Sequence, residues 1–583
     1  MIGRDGDAED DGRGVVAVLA ELWPGAPTAG ERLRRAVRFR RSAPPAVAER
    51  TADRIVAAGY TVGVAATLLA AVVAYAAGAP GAVSVAAPPA VGLCVTHAVH
   101  RTPVWRAEFR RSRAVGATAT VVGLIAVRLR LDAPPERAAA FAADTASGPL
   151  AASLARHVAA ARATPTTGLD DWAADWRTWF PALDRSVALL VAAADAPQPA
   201  RDRTLDRAVS AVGDAVERRA GTFATEIRGP VTALYAGGVL LPLALVGAVP
   251  AATVTGLPVG ATVFVAVYDL LLPAAVCLAG ARVLLARPVA FPPPRLPRDH
   301  PALPDDSRRT VAAVAAGVTG GWIAASVAVA DWAAPLSAVG FGLGPGLLVR
   351  FRPARRLRRR VTALERGLPD ALALVGRRVA DGVAVETAVR TAGDRLPPPV
   401  GEAFTVAARR RRTLGVGVRR AFCGDDGPFA ETPTVGGRAA ATLLSVAAEA
   451  GPPAGELLVT EAERLETLRD HERRARRSVA AVTDTLENTA AVFGPLVGGT
   501  TVALAGGLDG LSAATDGGAA LETTVVGGAV GGYVLALAVL LPTLAVGLRE
   551  GVDRALVGYR VGRSLTAATA TFLLAVRATG LLV

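Results

Sequence analysis

Long uncharged apolar stretches alternate along this chain with arginine-rich blocks of helical pattern. Residues 55–100 hold no Asp, Glu, Lys or Arg. About 20 mainly apolar residues cross a bilayer, so this stretch predicts two spans, 55–78 and 82–99, turning at Gly78-Ala79-Pro80-Gly81. Pro88-Pro89 predicts a kinked or partly unwound second span. The same pattern predicts spans at 231–249, 259–281, 310–330, 334–349, 490–507, 525–548 and 564–583, nine in all. They pair into hairpins 55–99, 231–281, 310–349 and 490–548, with the last helix alone. Arg577 falls near the end of that helix, where a long side chain reaches the interface.

The polar stretches carry a three-to-four period instead, as in Leu368-Pro369-Asp370-Ala371-Leu372. Pro369 suits a first helical turn, and Asp370 favours the dipole there. Ala380-Asp381-Gly382 ends this helix and Val385 opens another. Glu449-Ala450-Gly451-Pro452-Pro453 punctuates again, and a long charged helix from Leu457 to Asn488 is expected to run into the seventh span. No strand pattern occurs. The expected fold class is all-α: a polytopic membrane protein with about nine transmembrane helices and two cytoplasmic helical-bundle domains, internally duplicated.

Arginine sets the expected orientation. Clusters stand before the first span (Arg32 to Arg41), after the second (Arg101 to Arg113), after the sixth (Arg350 to Arg360) and after the eighth (Arg549 to Arg563). The loops at 79–81, 250–258, 331–333 and 508–524 carry no arginine. The positive-inside rule places the N-terminus and both polar blocks in the cytoplasm, and nine spans place the C-terminus outside. The membrane expected is the cytoplasmic (inner) one.

Composition removes function classes. The chain is 52% hydrophobic and only 20% charged, which excludes disorder and argues against a purely soluble enzyme. All 64 basic residues are arginine. With no lysine there is no Walker A, Schiff-base or kinase-strand lysine, so an energy-consuming task needs a partner motor. A net charge of +13 suggests nucleic acid. The arginines flank apolar blocks, however, so no nucleic-acid partner is expected. Cys94, Cys277 and Cys423 form no framework, and the five histidines form no zinc spacing. The acidic opening (Asp5, Asp7, Glu9, Asp10, Asp11) is opposite to a signal-peptide n-region. No catalytic, cofactor or metal site is expected.

The two halves repeat. Arg101-Thr102-Pro103 parallels Arg350-Phe351-Arg352-Pro353, Ala188-Leu189-Leu190 parallels Thr442-Leu443-Leu444, and Leu271-Leu272-Pro273 parallels Leu540-Leu541-Pro542, at offsets of 250, 254 and 269. Order and spacing together imply duplication with parallel topology.

The second block, with Leu368-Pro369-Asp370-Ala371-Leu372, Gly382-Val383-Ala384-Val385-Glu386-Thr387-Ala388 and Leu443-Leu444-Ser445-Val446-Ala447-Ala448-Glu449-Ala450-Gly451, resembles the F domain of type II secretion and type IV pilus platform proteins. The nine-span layout is similar to the archaeal branch, which includes archaellum and adhesion-pilus platforms. The first block departs, with Asp132-Ala133-Pro134-Pro135 at the matching junction. The resemblance implies a cytoplasmic segment 1–54, F-type domains 100–230 and 350–489, a connector 282–309 and a loop 549–563. It implies a non-enzymatic platform in the lipid bilayer, with a homodimer as the expected assembly. Its partners would be a cytosolic secretion or pilus ATPase and pilin-like subunits.

Candidate sites follow. Arg409, Arg410, Arg411, Arg412, Arg419, Arg420, Arg473, Arg474, Arg476 and Arg477 are candidates for docking an acidic ATPase surface; a solvated helix face or anionic lipid contact is the alternative. Asp269, inside the fourth span, is a candidate intramembrane polar site, because its burial costs ~2.5–3.5 kcal/mol. The glycines at 494–499 and 527–532 point to close helix packing. A transporter or channel is the competing class, and cytoplasmic blocks of this size argue against it.

Overall fold

A computed structural model describes residues 16, 19–23, 28–41, 45–76, 81–130, 134–146, 148–161, 168–254, 260–289, 300–303, 307–432, 434–512, 522–551 and 553–582. The acidic opening, much of the loops predicted at 79–81, 250–258 and 508–524, residues 290–299 and 304–306 of the connector 282–309, and the Asp132-Ala133 junction lie outside these residues. Among the described residues every regular element is a helix, as the patterning predicts. The chain forms two compact units, residues 1–112 and 113–583.

The first unit holds α1 (Glu31–Arg41), α2 (Pro45–Ala76) and the opening of α3 (Gly81–Arg130). Leu33, Ala36 and Val37 recur on one face of α1, and Leu33 and Val37 pack with Ala48, Ala52 and Val56 of α2. The α2 and α3 backbones approach at paired glycines. A Cβ on Gly92 would lie 2.7 Å from the Gly63 carbonyl, and one on Gly63 3.0 Å from that of Gly92. The helix continues through Pro88, Pro89 and Pro103, so this span is not unwound.

The second unit begins with the end of α3 and a charged block of α4 (Pro135–Thr145), α5 (Pro149–Ala161), α6 (Leu169–Arg177), α7 (Pro181–Ala194) and α8 (Gln198–Tyr235). α4, α5 and α7 each start on proline, whose fixed φ suits the first helical position. Leu150, Leu154, Leu169, Trp172, Leu183 and Leu190 fill its core. After α8 comes a π-helical turn, Ala236–Leu240, then α9 (Leu241–Val254). α10 (Ala261–Val265) passes through a second π turn, Ala266–Leu271, into α11 (Leu272–Leu285).

α12 (Ser307–Ala328) is followed by α13 (Ala334–Ala380), which continues from an apolar segment into the second charged block. That block contains α14 (Val385–Arg395), α15 (Val400–Leu414), α16 (Val418–Cys423), α17 (Pro428–Glu431), α18 (Val435–Ala450) and α19 (Pro453–Asn488). Leu368, Leu372, Val389, Phe404, Phe422 and Leu444 are central to its core. A π turn, Thr489–Phe493, leads into α20 (Gly494–Ser512), followed by α21 (Thr523–Glu550) and α22 (Arg554–Gly580). α8, α9, α11 and α19 to α22 share one apolar core that includes Val239, Tyr268, Val530, Tyr533 and Phe572.

Among the described residues, eight helices are long and apolar enough to cross a membrane: Ala46–Val72, Pro88–Arg130, Gln198–Ala248, Ala261–Leu285, Ser307–Ala328, Asp331–Ala380, Ala454–Gly507 and Thr523–Glu550. This indicates a multi-pass membrane protein. The ninth expected span, 564–583, falls in α22, which is not among the eight. Thr566, Thr569, Thr571 and Arg577 dilute its apolar content, although Leu565, Ala568 and Phe572 pack into the shared core.

One helix boundary needs correction. Pro369 does not begin a helix but lies inside α13. A proline there removes the donor that the Glu365 carbonyl would use. Arg469 of α19 supplies the replacement, its guanidinium donating to the carbonyls of Glu365 and Arg366, the latter at 3.0 Å. The helix survives its proline because a second helix satisfies the freed carbonyl. Gly382, at φ +84°, then ends α13 as expected.

Candidate functional site

The ten arginines proposed for docking divide by use. Arg410 donates to the Asp426 carbonyl at 2.9 Å, and Arg411 pairs with Glu386. Arg473 pairs with Asp470 at 3.0 Å, Arg474 with Glu217 at 3.5 Å, and Arg476 with Glu472. The side chains of Arg409, Arg412, Arg419, Arg420 and Arg477 are exposed, with no hydrogen bond or ion pair to a described residue. Four of these, Arg409 and Arg412 on α15 and Arg419 and Arg420 on α16, flank one turn. Gly415, at φ +63°, makes that turn sharp. Exposed Val406 and Leu414 lie on the same helix as Arg409 and Arg412. Four exposed arginines and two exposed apolar side chains thus gather along the chain on either side of the Gly415 turn.

The sequence reading missed a second constellation, which ties the two charged blocks together along α8 and α19. His471 Nδ1 lies 2.6 Å from Glu217 Oε2, its Nε2 lies 3.7 Å from Asp214, and Arg474 reaches the other Glu217 oxygen. Further along α19, Glu461 and Arg464 pair at 3.2 Å with both side chains buried. Arg130 of α3 pairs with Asp206 and lies 3.9 Å from Asp202. Burial pushes the Glu461 carboxyl up, opposed by Arg464 and Arg130. Burial likewise pulls the Arg464 guanidinium down, opposed by Glu461. Nε and Nη2 of Arg464 have no hydrogen-bond partner among the described residues. A buried pair of this kind adds little net stability, because desolvation offsets most of the attraction. One signal was available: Glu217 and His471 are 254 residues apart, the offset of the central repeat match.

Several of the arginines read as orientation signals are held in ion pairs within the second unit. Arg358 pairs with Asp553 at 2.7 Å, Arg560 and Arg563 share Glu487 at 2.6 and 3.0 Å, and Arg549 pairs with Asp484. Arg287 is buried and caps α21 by donating to the carbonyls of Gly547 and Arg549. Burial pushes its guanidinium down to about 9.

Asp269 lies in the π turn Ala266–Leu271, exposed and beside Gly532. Its neighbour Tyr268 donates to the Pro242 carbonyl at 2.6 Å, and Tyr533 donates to that of Gly238. The glycine runs pack as expected. A Cβ on Gly499 would lie 2.6 Å from the Phe572 carbonyl, and one on Gly527 2.7 Å from the Trp332 ring. No group of three His, Cys, Asp or Glu among the described residues is placed to hold a metal. No protein-family model, curated protein or solved structure matches this chain.

Proposed function

We propose that this chain is a platform protein of the cytoplasmic membrane, an internally duplicated unit of nine spans. In this reading it couples a separate cytosolic ATPase to insertion of pilin-like subunits into a type IV pilus-like filament, an adhesion pilus or archaellum, or into a type II-like secretion machine. The N-terminus and both charged blocks lie in the cytoplasm, α22 is the ninth span, and the chain itself is not an enzyme.

The observation that carries the reading is mechanical continuity. α13 runs unbroken from an apolar segment into the second block, and α8 and α19 run from the blocks through π turns into α9 and α20. A force on either block therefore reaches the apolar bundle along helices without a flexible joint. The exposed patch of Arg409, Arg412, Arg419 and Arg420 gives an acidic motor a place to push.

The test is a clean deletion, with surface filaments counted by electron microscopy, and capture of the co-encoded secretion ATPase by the full-length chain in nanodiscs. Loss of filaments and capture of the ATPase are expected. Normal filaments together with no capture overturn the reading.

A further inference from the structure

The two hairpins α9–α11 and α20–α21 are built alike but close differently. α9 and α20 each follow a five-residue π turn and carry proline second, Pro242 and Pro495. Leu241 thus matches Gly494, and Leu245 matches Gly498. In the later hairpin both glycines are buried. A Cβ on Gly498 would stand 3.1 Å from Val534 and 3.3 Å from Val530 of α21, so the bare backbone is what lets the two helices meet. In the earlier hairpin the leucines are 57% and 52% exposed, and the helices stand apart. A cleft of about 320 Å³ opens between them, lined by Leu241, Leu245, Ala248, Phe264, Val267 and Leu272.

The cleft has a base and a depth. Tyr268 bonds to the Pro242 carbonyl at 2.6 Å and ties the helices at the bottom. A helix, ~10 Å across with its side chains, cannot enter past that bond. A hydrocarbon chain, one carbon wide, can. Leu272 is ten residues from exposed Arg282, which marks the charged boundary. Ten residues rise ~15 Å, half of a ~30 Å hydrocarbon core. Phe264 lies eight residues further, another ~12 Å. The cleft therefore spans one leaflet, the one opposite Arg282.

We propose that this cleft is a lipid site holding one acyl chain of a phospholipid from that leaflet, in place of the helix contact that Gly498 makes. The proposal needs only that these helices lie in a bilayer, so it stands apart from the platform reading.

The experiment reconstitutes the full-length chain in phosphatidylcholine vesicles containing a tracer phospholipid with a mid-chain diazirine. After photolysis, adducts are mapped by mass spectrometry. Labelling of 241–248 and 264–268 is expected to exceed that of 494–501 and 530–534 at least fivefold. The Leu241→Gly/Leu245→Gly variant, which gives this hairpin the later one's seam, should lose that excess, while Leu278, 70% exposed, stays labelled. Leu245→Trp, which fills the cleft without removing side chains, should lose it too. Uniform labelling of all exposed helices overturns the site, as does labelling that both variants leave unchanged. A photoreactive residue at 245 in whole cells should yield lipid adducts. A protein adduct there overturns the lipid in favour of a partner helix.

Discussion

His471 on α19 reaches Glu217 on α8 at 2.6 Å, and the two residues stand 254 positions apart, the same offset as the central sequence match. The long helices of the two charged blocks are therefore in direct contact through this pair. α8 and α19 are also the helices that continue through π turns into α9 and α20.

Breaking this bond should loosen the halves. A hydrogen bond to a charged group contributes ~1.5–3 kcal/mol. Thermal unfolding in nanodiscs should show His471→Ala and Glu217→Gln each destabilising, and the double variant costing less than the sum. Strict additivity would mean that the two side chains do not act together.

The pair Glu461 and Arg464 should behave differently because it is buried. Removing one member leaves an uncompensated charge, at ~3–5 kcal/mol, whereas exchanging both for apolar groups of similar volume is close to neutral. Glu461→Leu should unfold at clearly lower temperature, and Glu461→Leu/Arg464→Met should recover most of the loss. If the double variant is as unstable as the single, the pair is a net stabiliser.

Glu365 sets a pH dependence. Burial pushes its carboxyl above the ordinary 4.5, although it accepts from Thr434 at 2.7 Å and Arg469 opposes the rise. Below 4.5 both folded and unfolded forms are protonated, and the group contributes nothing. As pH rises past that value the unfolded chain ionises first, so stability falls until the folded group ionises as well, and the full penalty persists above. Glu365→Gln keeps the acceptor for Thr434 and removes the penalty. Its melting temperature should exceed the parent's at pH 8, with the difference closing towards pH 4.

Helix class and element order were legible in the pattern because apolar length and three-to-four spacing are local properties. The continuation of α13 through Pro369 was not. It depends on Arg469, about a hundred residues later, reaching the Glu365 carbonyl. Among the arginines, sequence showed clusters but not partners. Arg409 and Arg410 are neighbours, yet only Arg410 finds Asp426, because a helix points adjacent residues about 100° apart. The clasp at Glu217 and His471 stood in no motif, and only the repeat offset hinted at it.

That division of the arginines is itself testable. Exchanging exposed, unpaired surface residues usually changes stability within ±0.5 kcal/mol. Replacing Arg409, Arg412, Arg419 and Arg420 together by Glu should leave the melting temperature almost unchanged. It should lower ATPase capture by full-length protein at least tenfold. Arg411→Ala, which abandons Glu386, should instead lower stability slightly and leave capture intact. If the fourfold variant captures the ATPase normally but floats less well with anionic vesicles, the patch binds lipid and not the motor.

α12 offers an internal control for the packing argument. It lies along α13 at glycines, and a Cβ on Gly317 would fall on the Phe341 carbonyl, whereas Gly320 has nothing within 4 Å. The two glycines are one turn apart on the same helix, so propensity and membrane depth are nearly equal and only the neighbour differs. Crowding a packed seam costs ~1–3 kcal/mol. Alanine in an open helical position is favoured over glycine by up to ~1 kcal/mol in water. Gly317→Ala should therefore lower the melting temperature, and Gly320→Ala should leave it unchanged or raise it. Equal effects would show that α12 and α13 do not pack through this seam.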